Sequence, residues 1–463
     1  ALLSERKGGL AMKKHQFSIL FAYILILLIS SGCAEAFQYS IGCADIKTNQ
    51  SFSFFIVSDP HYISKETYDN GKAFQDFLAS GDGKMLNHTD ELLDALIKDI
   101  RVENPDFLII TGDLTCNGTR QSHIELAEKL KTIEDIGTCV FVVPGNHDIQ
   151  NPYARKYIGD EVTDIETITS EDYVNLYAPF GYEGCVSRDP NSLSYLAMPA
   201  EDIWLLMLDS TDTDRNMARK YPEQSGYLRP DTLKWIEQCA ALAKENNAKL
   251  IAVMHHSLID HSEMIKANYT IKNSKDALKV FRKHGIEIVF TGHIHIQDIK
   301  SDEYQGNRIY DIGTSSLAVY PHQYGRMKFT PYVGFDYRTI PLDMEYYDIH
   351  ENAKDGTPLN FEDYSASFFT EQCGRMHQEC LKQLEGLSDA ERETVLETVC
   401  RMNMLYFAGY RNEALNDIVN TEGFKKLENI APCFTKEYAL KMLDDERTNN
   451  NTLLIPVSSS EKQ

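Results

Sequence analysis

Short apolar runs punctuate the chain from about residue 51, and each ends on polar residues of a particular kind. Phe52 to Val57 leads into Ser-Asp-Pro-His, Phe107 to Ile110 into Thr-Gly-Asp, and Cys139 to Val143 into Pro-Gly-Asn-His-Asp. Ile203 to Leu208 precedes Asp-Ser, Leu250 to Met254 precedes His-His, and Ile286 to Phe290 precedes Thr-Gly-His-Ile-His. Runs this short and this rich in β-branched and aromatic residues predict strands buried on both faces. Apolar residues at three- and four-residue intervals over 91–104, 124–136, 233–246 and 277–284 predict helices between them. The result is an α/β fold whose sheet is covered on both sides. Its polar residues follow the C-terminal ends of successive strands, where open α/β sheets place their sites.

Around 341–360 the pattern changes. From about 360 to 446 the spacing is helical, with Phe368, Phe369, Cys373, Met376, Cys380 and Leu384 on one face and Ser388 as a helix-start cap. Further helices are expected near 390–410 and 435–446. The polar tail after Arg447 reads as flexible. The expected organisation is a leader over 1–36, an α/β domain over 51–340, a helical C-terminal domain over 355–448 and a flexible tail over 449–463. Within the leader, Lys13 and Lys14 precede an apolar run from Phe17 to Ile29, which has the length and flanks of a signal sequence. Small residues before Cys33 are similar to a lipobox, so a lipid anchor at Cys33 outside the cytoplasm is expected. Secretion after cleavage before Phe37 is the alternative.

Charge narrows the partners. Acidic residues outnumber basic ones 69 to 46, a formal charge of −23. Such a surface repels nucleic-acid backbones and anionic membranes, so no nucleic-acid backbone binding is expected and membrane contact is expected only through the anchor. The 10 cysteines, with no CxxC spacing, read as mostly buried apolar thiols rather than a disulfide framework.

The strand-end motifs supply two Asp, four His and one Asn: Asp59, His61, Asp113, Asn146, His255, His293 and His295. These are hard or borderline donors that suit Mn, Fe, Zn or Mg. Asp59 and His61 are two apart, as are His293 and His295, and on an extended chain such pairs project to one side. Asp113 is the natural bridge between two ions about 3.5–4 Å apart, which can clamp a phosphoryl group and acidify a water. Glycines before Asp113, Asn146 and His293 allow sharp turns off the strands.

Five of these strand ends, Asp59-Pro60-His61, Gly112-Asp113, Gly145-Asn146-His147-Asp148, His255-His256 and Gly292-His293-Ile294-His295, resemble in this order the signature of calcineurin-like metallophosphoesterases over roughly residues 51–320. The resemblance implies a β-sandwich flanked by helices. It assigns Asp59, His61, Asp113 and His295 to one metal ion, and Asp113, Asn146, His255 and His293 to a second. It implies hydrolysis of a small phosphoester by a metal-bound hydroxide, with His147 facing the substrate and assisting the leaving oxygen. Asp148 is expected to fix its loop or orient His147. His255 is expected to bind metal, with His256 as its neighbour or a substrate contact. The helical region resembles the extra domain of extracytoplasmic bacterial relatives of cyclic-nucleotide phosphodiesterases, which makes a phosphodiester, such as a cyclic nucleotide, the expected substrate.

Further substrate contacts are expected from Arg155, which follows the Gly-Asn-His-Asp loop, and from Tyr324 and Arg326 in an aromatic-basic loop after the last His motif. Gly81-Asp82-Gly83-Lys84 is expected as a loop over the site. Two alternatives stand beside the phosphodiesterase: a phosphomonoesterase or nucleotidase on the same residues, and a non-catalytic protein that binds a partner through its helical region. Nothing in the sequence fixes the oligomeric state.

Overall fold

The computed structural model describes residues 46–344, 360–410, 413–443 and 449–457. The expected leader, Cys33 and the cleavage before Phe37 lie outside these residues. Two sheets carry the α/β part. The first has the order β15-β14-β13-β1-β2-β3. Here β1 (Phe52–Val57), β2 (Phe107–Ile110) and β3 (Cys139–Val142) run parallel, with Phe54 level with Phe107 and Phe107 level with Cys139. Beyond β1 come β13 (Gln323–Thr330), β14 (Gly334–Pro341) and β15 (Thr452–Pro456), each antiparallel to its neighbour. The second sheet has the order β11-β12-β10-β9-β8-β7-β6. Its centre, β8 (Ile203–Leu208), β9 (Lys249–Met254), β10 (Ile288–Thr291) and β12 (Asn307–Gly313), is parallel. Its antiparallel edges are β6 (Ser187–Arg188) with β7 (Tyr195–Ala197), and β11 (Asp298–Tyr304). A separate hairpin joins β4 (Arg155–Ile158) to β5 (Glu161–Asp164).

The sheets pack face to face. Phe54 stacks on Phe107 at 4.5 Å between ring centres, and Phe290 of the second sheet meets Phe54 edge-on at 5.9 Å. Each outer face is covered by helices, so the central strands are buried on both sides and their sequences lose the in–out alternation of a half-exposed strand. Helices α2 (Thr89–Glu103) and α3 (Arg120–Asp135) bury Leu92, Leu96, Ile100, Leu126, Leu130 and Ile133 in the core that contains the first sheet. Helices α4 (Pro230–Glu245) and α5 (Ser274–His284) bury Trp235, Ile236, Ala277 and Phe281 against the second. Ahead of them, α1 (Lys72–Ala79) leads into the Gly81–Lys84 turn.

The C-terminal region is helical, as the spacing predicts: α6 (Phe361–Lys382), α7 (Asp389–Phe407), α8 (Glu413–Val419), α9 (Glu422–Asn429) and α10 (Phe434–Lys441). Ser388 caps α7 in a reciprocal capping box with Glu391. Helices α8 and α9 are too short for a periodic signal, and the sequence pattern does not separate them. The core of this region, around Leu381, Val399, Tyr406 and Tyr438, also takes in Ile294 and Ile296 of the Gly-His-Ile-His loop. The eight described cysteines carry free thiols; Cys373 lies against Cys400 and Cys380 against Cys433, not against each other.

One expectation is corrected here. The tail is not flexible over 452–456, because β15 forms the edge of the first sheet and pairs with residues 334–338. Leu453 and Ile455 point inward while Leu454 is exposed, an in–out alternation hidden between the Asn-rich and Ser-rich stretches that flank it.

Candidate metal centre

Parallel strands bring their C-terminal ends to one edge of the sandwich, and there the motifs converge. Asp59 and His61 follow β1, Asp113 follows β2, Asn146 follows β3, His255 follows β9, and His293 and His295 follow β10. The loops after β1 and β2 continue the ladder, with Asp59 N–H donating to Gly112 O at 3.2 Å and His61 N–H to Asp113 O at 3.1 Å.

The turn is made differently from the simple alternation expected of an extended chain. Asp59, His61, Asp113, His293 and His295 all adopt left-handed backbone, with φ between 43° and 66°. Asp and His tolerate this region better than most side chains, yet each such residue costs on the order of 1–3 kcal/mol, a strain that clusters at functional sites. Gly112 does have positive φ, as a turning glycine should. Gly145 and Gly292 are required for another reason, close approach. A Cβ on Gly145 would strike Asp113, and one on Gly292 would strike Ser58 and Asp59.

Two donor groups result. Asp59, His61, Asp113 and His295 each place a ligand atom within 4.8 Å of the others, and so do Asp113, His255 and His293. Asp113 belongs to both. In the first group, His61 Nε2 faces His295 Nε2 at 3.0 Å, and Asp59 Oδ1 lies 3.4 Å from His295 Nε2. Asp59 Oδ1 is buried with no hydrogen-bond partner. In the second, His255 donates from Nδ1 to Thr111 O at 2.9 Å, which turns Nε2 toward Asp113 Oδ2 at 3.4 Å and Asn146 Oδ1 at 3.1 Å. His293 Nε2 donates to Asn268 O at 3.2 Å, leaving Nδ1 as the acceptor.

Lone pairs facing lone pairs in a buried site are what a cation resolves. The protonation states agree. Burial, with the Lys84 charge next, holds His61 well below the usual histidine range, and burial with the neighbouring His256 and His255 does the same for His293. Burial opposes ionisation of Asp113, but the charges of His255 and His147 outweigh it and hold its carboxyl well below the usual carboxylate range. Burial likewise opposes the charge on His255, which Asp113 nevertheless raises to about 9, so a cation bound there displaces a proton. The residues present therefore fit two metal ions, with Asn146 at the second.

The other predicted residues fall into two sets. His147 lines the same cavity; its Nδ1 donates to Asn117 Oδ1 at 3.0 Å, and its Nε2 lies 3.9 Å from Asp113 Oδ2. Burial pushes it down to about 4, with Asp113 opposing and Lys84 assisting. Asp148 accepts from the backbone N–H of Leu114, Thr115 and Gly145, which ties the loops after β2 and β3 together. His256 is fully buried, with Nδ1 on Ser210 Oγ at 2.8 Å and Nε2 on Gln224 O at 3.1 Å. Both nitrogens are engaged within the protein, and His256 packs behind His255 and His293 rather than lining the cavity.

Arg155, Tyr324 and Arg326 are corrections. Arg155 stands on the β4–β5 hairpin, paired with Asp164 at 3.4 Å and stacked on Tyr153. Residues 323–330 form strand β13 rather than a loop. Tyr324 is buried, its ring 4.6 Å from that of Phe55, and Arg326 pairs with Glu103 of α2 at 3.1 Å. None of the three lines the metal cavity. Two residues that do serve the site were not singled out for it: Asn117, which fixes His147, and Lys84, which lines the cavity. Asn117-Gly118 reads locally as a turn, and Lys84 only as the end of a loop.

The cavity over the metal residues has a volume of about 570 Å³, in the range of small-molecule sites. Asp113, Asn146, His147, His293 and His295 form one side, and the helical region supplies Phe369, Met376, Phe407, Phe434 and Tyr438 on the other.

Comparison with known proteins adds to this geometry. Residues 343–449 match the C-terminal domain of cyclic nucleotide phosphodiesterase. A probable cyclic nucleotide phosphodiesterase of Coxiella burnetii is 26% identical over 192 residues, 41% of this chain and 60% of that protein. A 3',5'-cyclic-nucleotide phosphodiesterase of Nostoc sp. is 27% identical over 192 residues, 41% of this chain and 56% of that protein. The matched stretch thus spans somewhat more than half the length of these relatives. Among solved structures, a dimetal phosphatase from Danio rerio aligns with a TM-score of 0.42 and 13% identity, covering 63% of this chain and 99% of that one. Residues 52–297, from β1 through the Gly-His-Ile-His loop, match the calcineurin-like phosphoesterase family, and the chain belongs to it.

Proposed function

We propose that this protein is a dinuclear metal-dependent phosphodiesterase acting on small diesters, cyclic nucleotides among them. The observation that carries the reading is the pair of donor groups sharing Asp113 on the wall of a partly aromatic cavity. Bound there, two metal ions supply an acidified water and neutralise charge on the phosphoryl oxygens. The chain's own residues do the rest. His147, pinned at Nδ1 by Asn117, presents Nε2 to the phosphoryl group. A phosphodiester anion beside it favours the imidazolium, whose Nε2–H donates to the leaving oxygen. Phe369, Phe407, Phe434 and Tyr438 line the cavity and give a planar group on the ester an apolar, aromatic wall to pack against. The names of the relatives and the match over 343–449 support a cyclic nucleotide as the diester. The apolar leader supports export and a lipid anchor at Cys33.

The test is hydrolysis by metal-stripped protein reloaded with Mn, Fe, Zn or Mg in turn. Bis(p-nitrophenyl) phosphate, p-nitrophenyl phosphate and cyclic AMP are compared side by side. Preference for the diesters is expected. Preference for the monoester would replace this reading with a phosphomonoesterase or nucleotidase.

A further inference from the structure

Two cations line the cavity among the described residues, Lys84 and Arg375; Arg375 pairs with Glu371 at 3.6 Å, and the metal centre uses neither. Lys84 ends the Gly81–Lys84 turn, is half-buried, and lines the cavity with Asp113, Asn146 and His147. Among the described residues its ammonium makes no hydrogen bond or ion pair. Its charge is nevertheless felt at His61, His147 and Cys116, so it lies within electrostatic reach of the metal ligands.

The fold fixes its place. The segment 316–319 is a strap with two ends. At one end Leu317 N–H donates to Ser58 O at 2.8 Å and Ser316 Oγ–H to Asp59 O at 2.8 Å. At the other, Met85 N–H donates to Ala318 O at 2.8 Å and Lys84 bridges to Val319. Gly83, with φ +83°, lies against the ring of Phe369 of α6, which leaves no room for a side chain there. Lys84 is thus held in register with Asp59 on one side and pressed by the helical region on the other. An ammonium without a partner on a partly dehydrated wall is costly to keep, and an anionic ligand removes that cost.

We propose that Lys84 is a substrate-binding residue. Its ammonium takes a non-bridging oxygen of the phosphoryl group held beside Asp113 and carries part of the charge that builds on that oxygen during attack. The proposal rests on the phosphoesterase reading above and adds a residue of this chain to it.

The experiment uses the full metal-loaded chain, with inorganic phosphate as the probe in a calorimetric titration and metal content measured alongside. Wild type, Lys84→Ala and Lys84→Arg are compared. Loss of one charge-assisted contact predicts about 10- to 100-fold weaker phosphate binding in Lys84→Ala, with a similar fall in kcat/KM on bis(p-nitrophenyl) phosphate. Metal content is expected to stay at the wild-type level, and Lys84→Arg to recover most of the affinity. Phosphate affinity equal to wild type in Lys84→Ala would overturn the assignment. So would loss of metal in that variant, since Lys84 would then serve the ligand loops. Lys84-dependent phosphate binding by a wild type that hydrolyses no ester would support Lys84 and defeat the phosphodiesterase reading alone.

Discussion

His147 has one ring nitrogen fixed and the other turned to the cavity, so its contribution separates from metal binding. Replacing it with Ala is expected to lower kcat roughly 10²-fold while metal content, read by elemental analysis, stays unchanged. Asn117→Leu removes only the acceptor that orients the ring, so a smaller fall of the same kind is expected, again without metal loss. A fall in metal content in either variant would mean that the loop, and not the imidazole, had been damaged. The six Asp and His residues that the structure brings into the two donor groups were legible in the sequence because each follows an apolar run by one to a few residues, and strand ends are where the chain turns into the site. Lys84 and Asn117 were not, since no local pattern says which side chain of a turn faces a cavity assembled from distant segments. Arg155 shows the converse: nearness in sequence to the Asn146–Asp148 loop did not bring it to the site, because the chain leaves at once into the β4–β5 hairpin.

At the scale of elements, the Gly-His-Ile-His loop joins the two halves of the described structure. His293 and His295 turn to the metal side, while Ile294 and Ile296 enter the core of the helical region. Ile294 is 5% exposed, so Ile294→Ala is expected to cost roughly 2–5 kcal/mol in denaturant unfolding, as large-to-small core substitutions do. It should also weaken metal binding, because the left-handed residues on either side lose their support. Unchanged stability and unchanged metal affinity would show that the helical region does not brace this loop. Strands β1, β2, β3, β8 and β9 were readable almost to the residue, since burial on both faces leaves uninterrupted apolar runs. Strands β11 to β15 were not. Their one-sided or edge positions mix polar with apolar residues, and Tyr324 and Arg326 read as a loop although β13 pairs on both of its sides.

The molecule as a whole carries buried neutral histidines away from the metals, and these contribute a loss of stability in acid. His123 contacts Tyr177, His322 contacts Ser365 of α6, and His377 contacts Thr435; burial pushes each down to about 4 from the ordinary 6.5. The unfolded chain therefore takes up protons that the folded one refuses. This stability is fully present above about pH 6.5 and is lost as pH falls from there toward about 4. The melting temperature is expected to be lower at pH 5 than at pH 7.5, and a melting temperature unmoved between them would contradict this. The central claim is that two metal sites share Asp113. It is tested most directly by counting the manganese ions bound per chain after equilibrium dialysis of wild type and Asp113→Ala. Two ions in the wild type and loss of both in the variant are the predicted result. A wild type that binds one ion or none, or an Asp113→Ala variant that keeps two, would contradict the account.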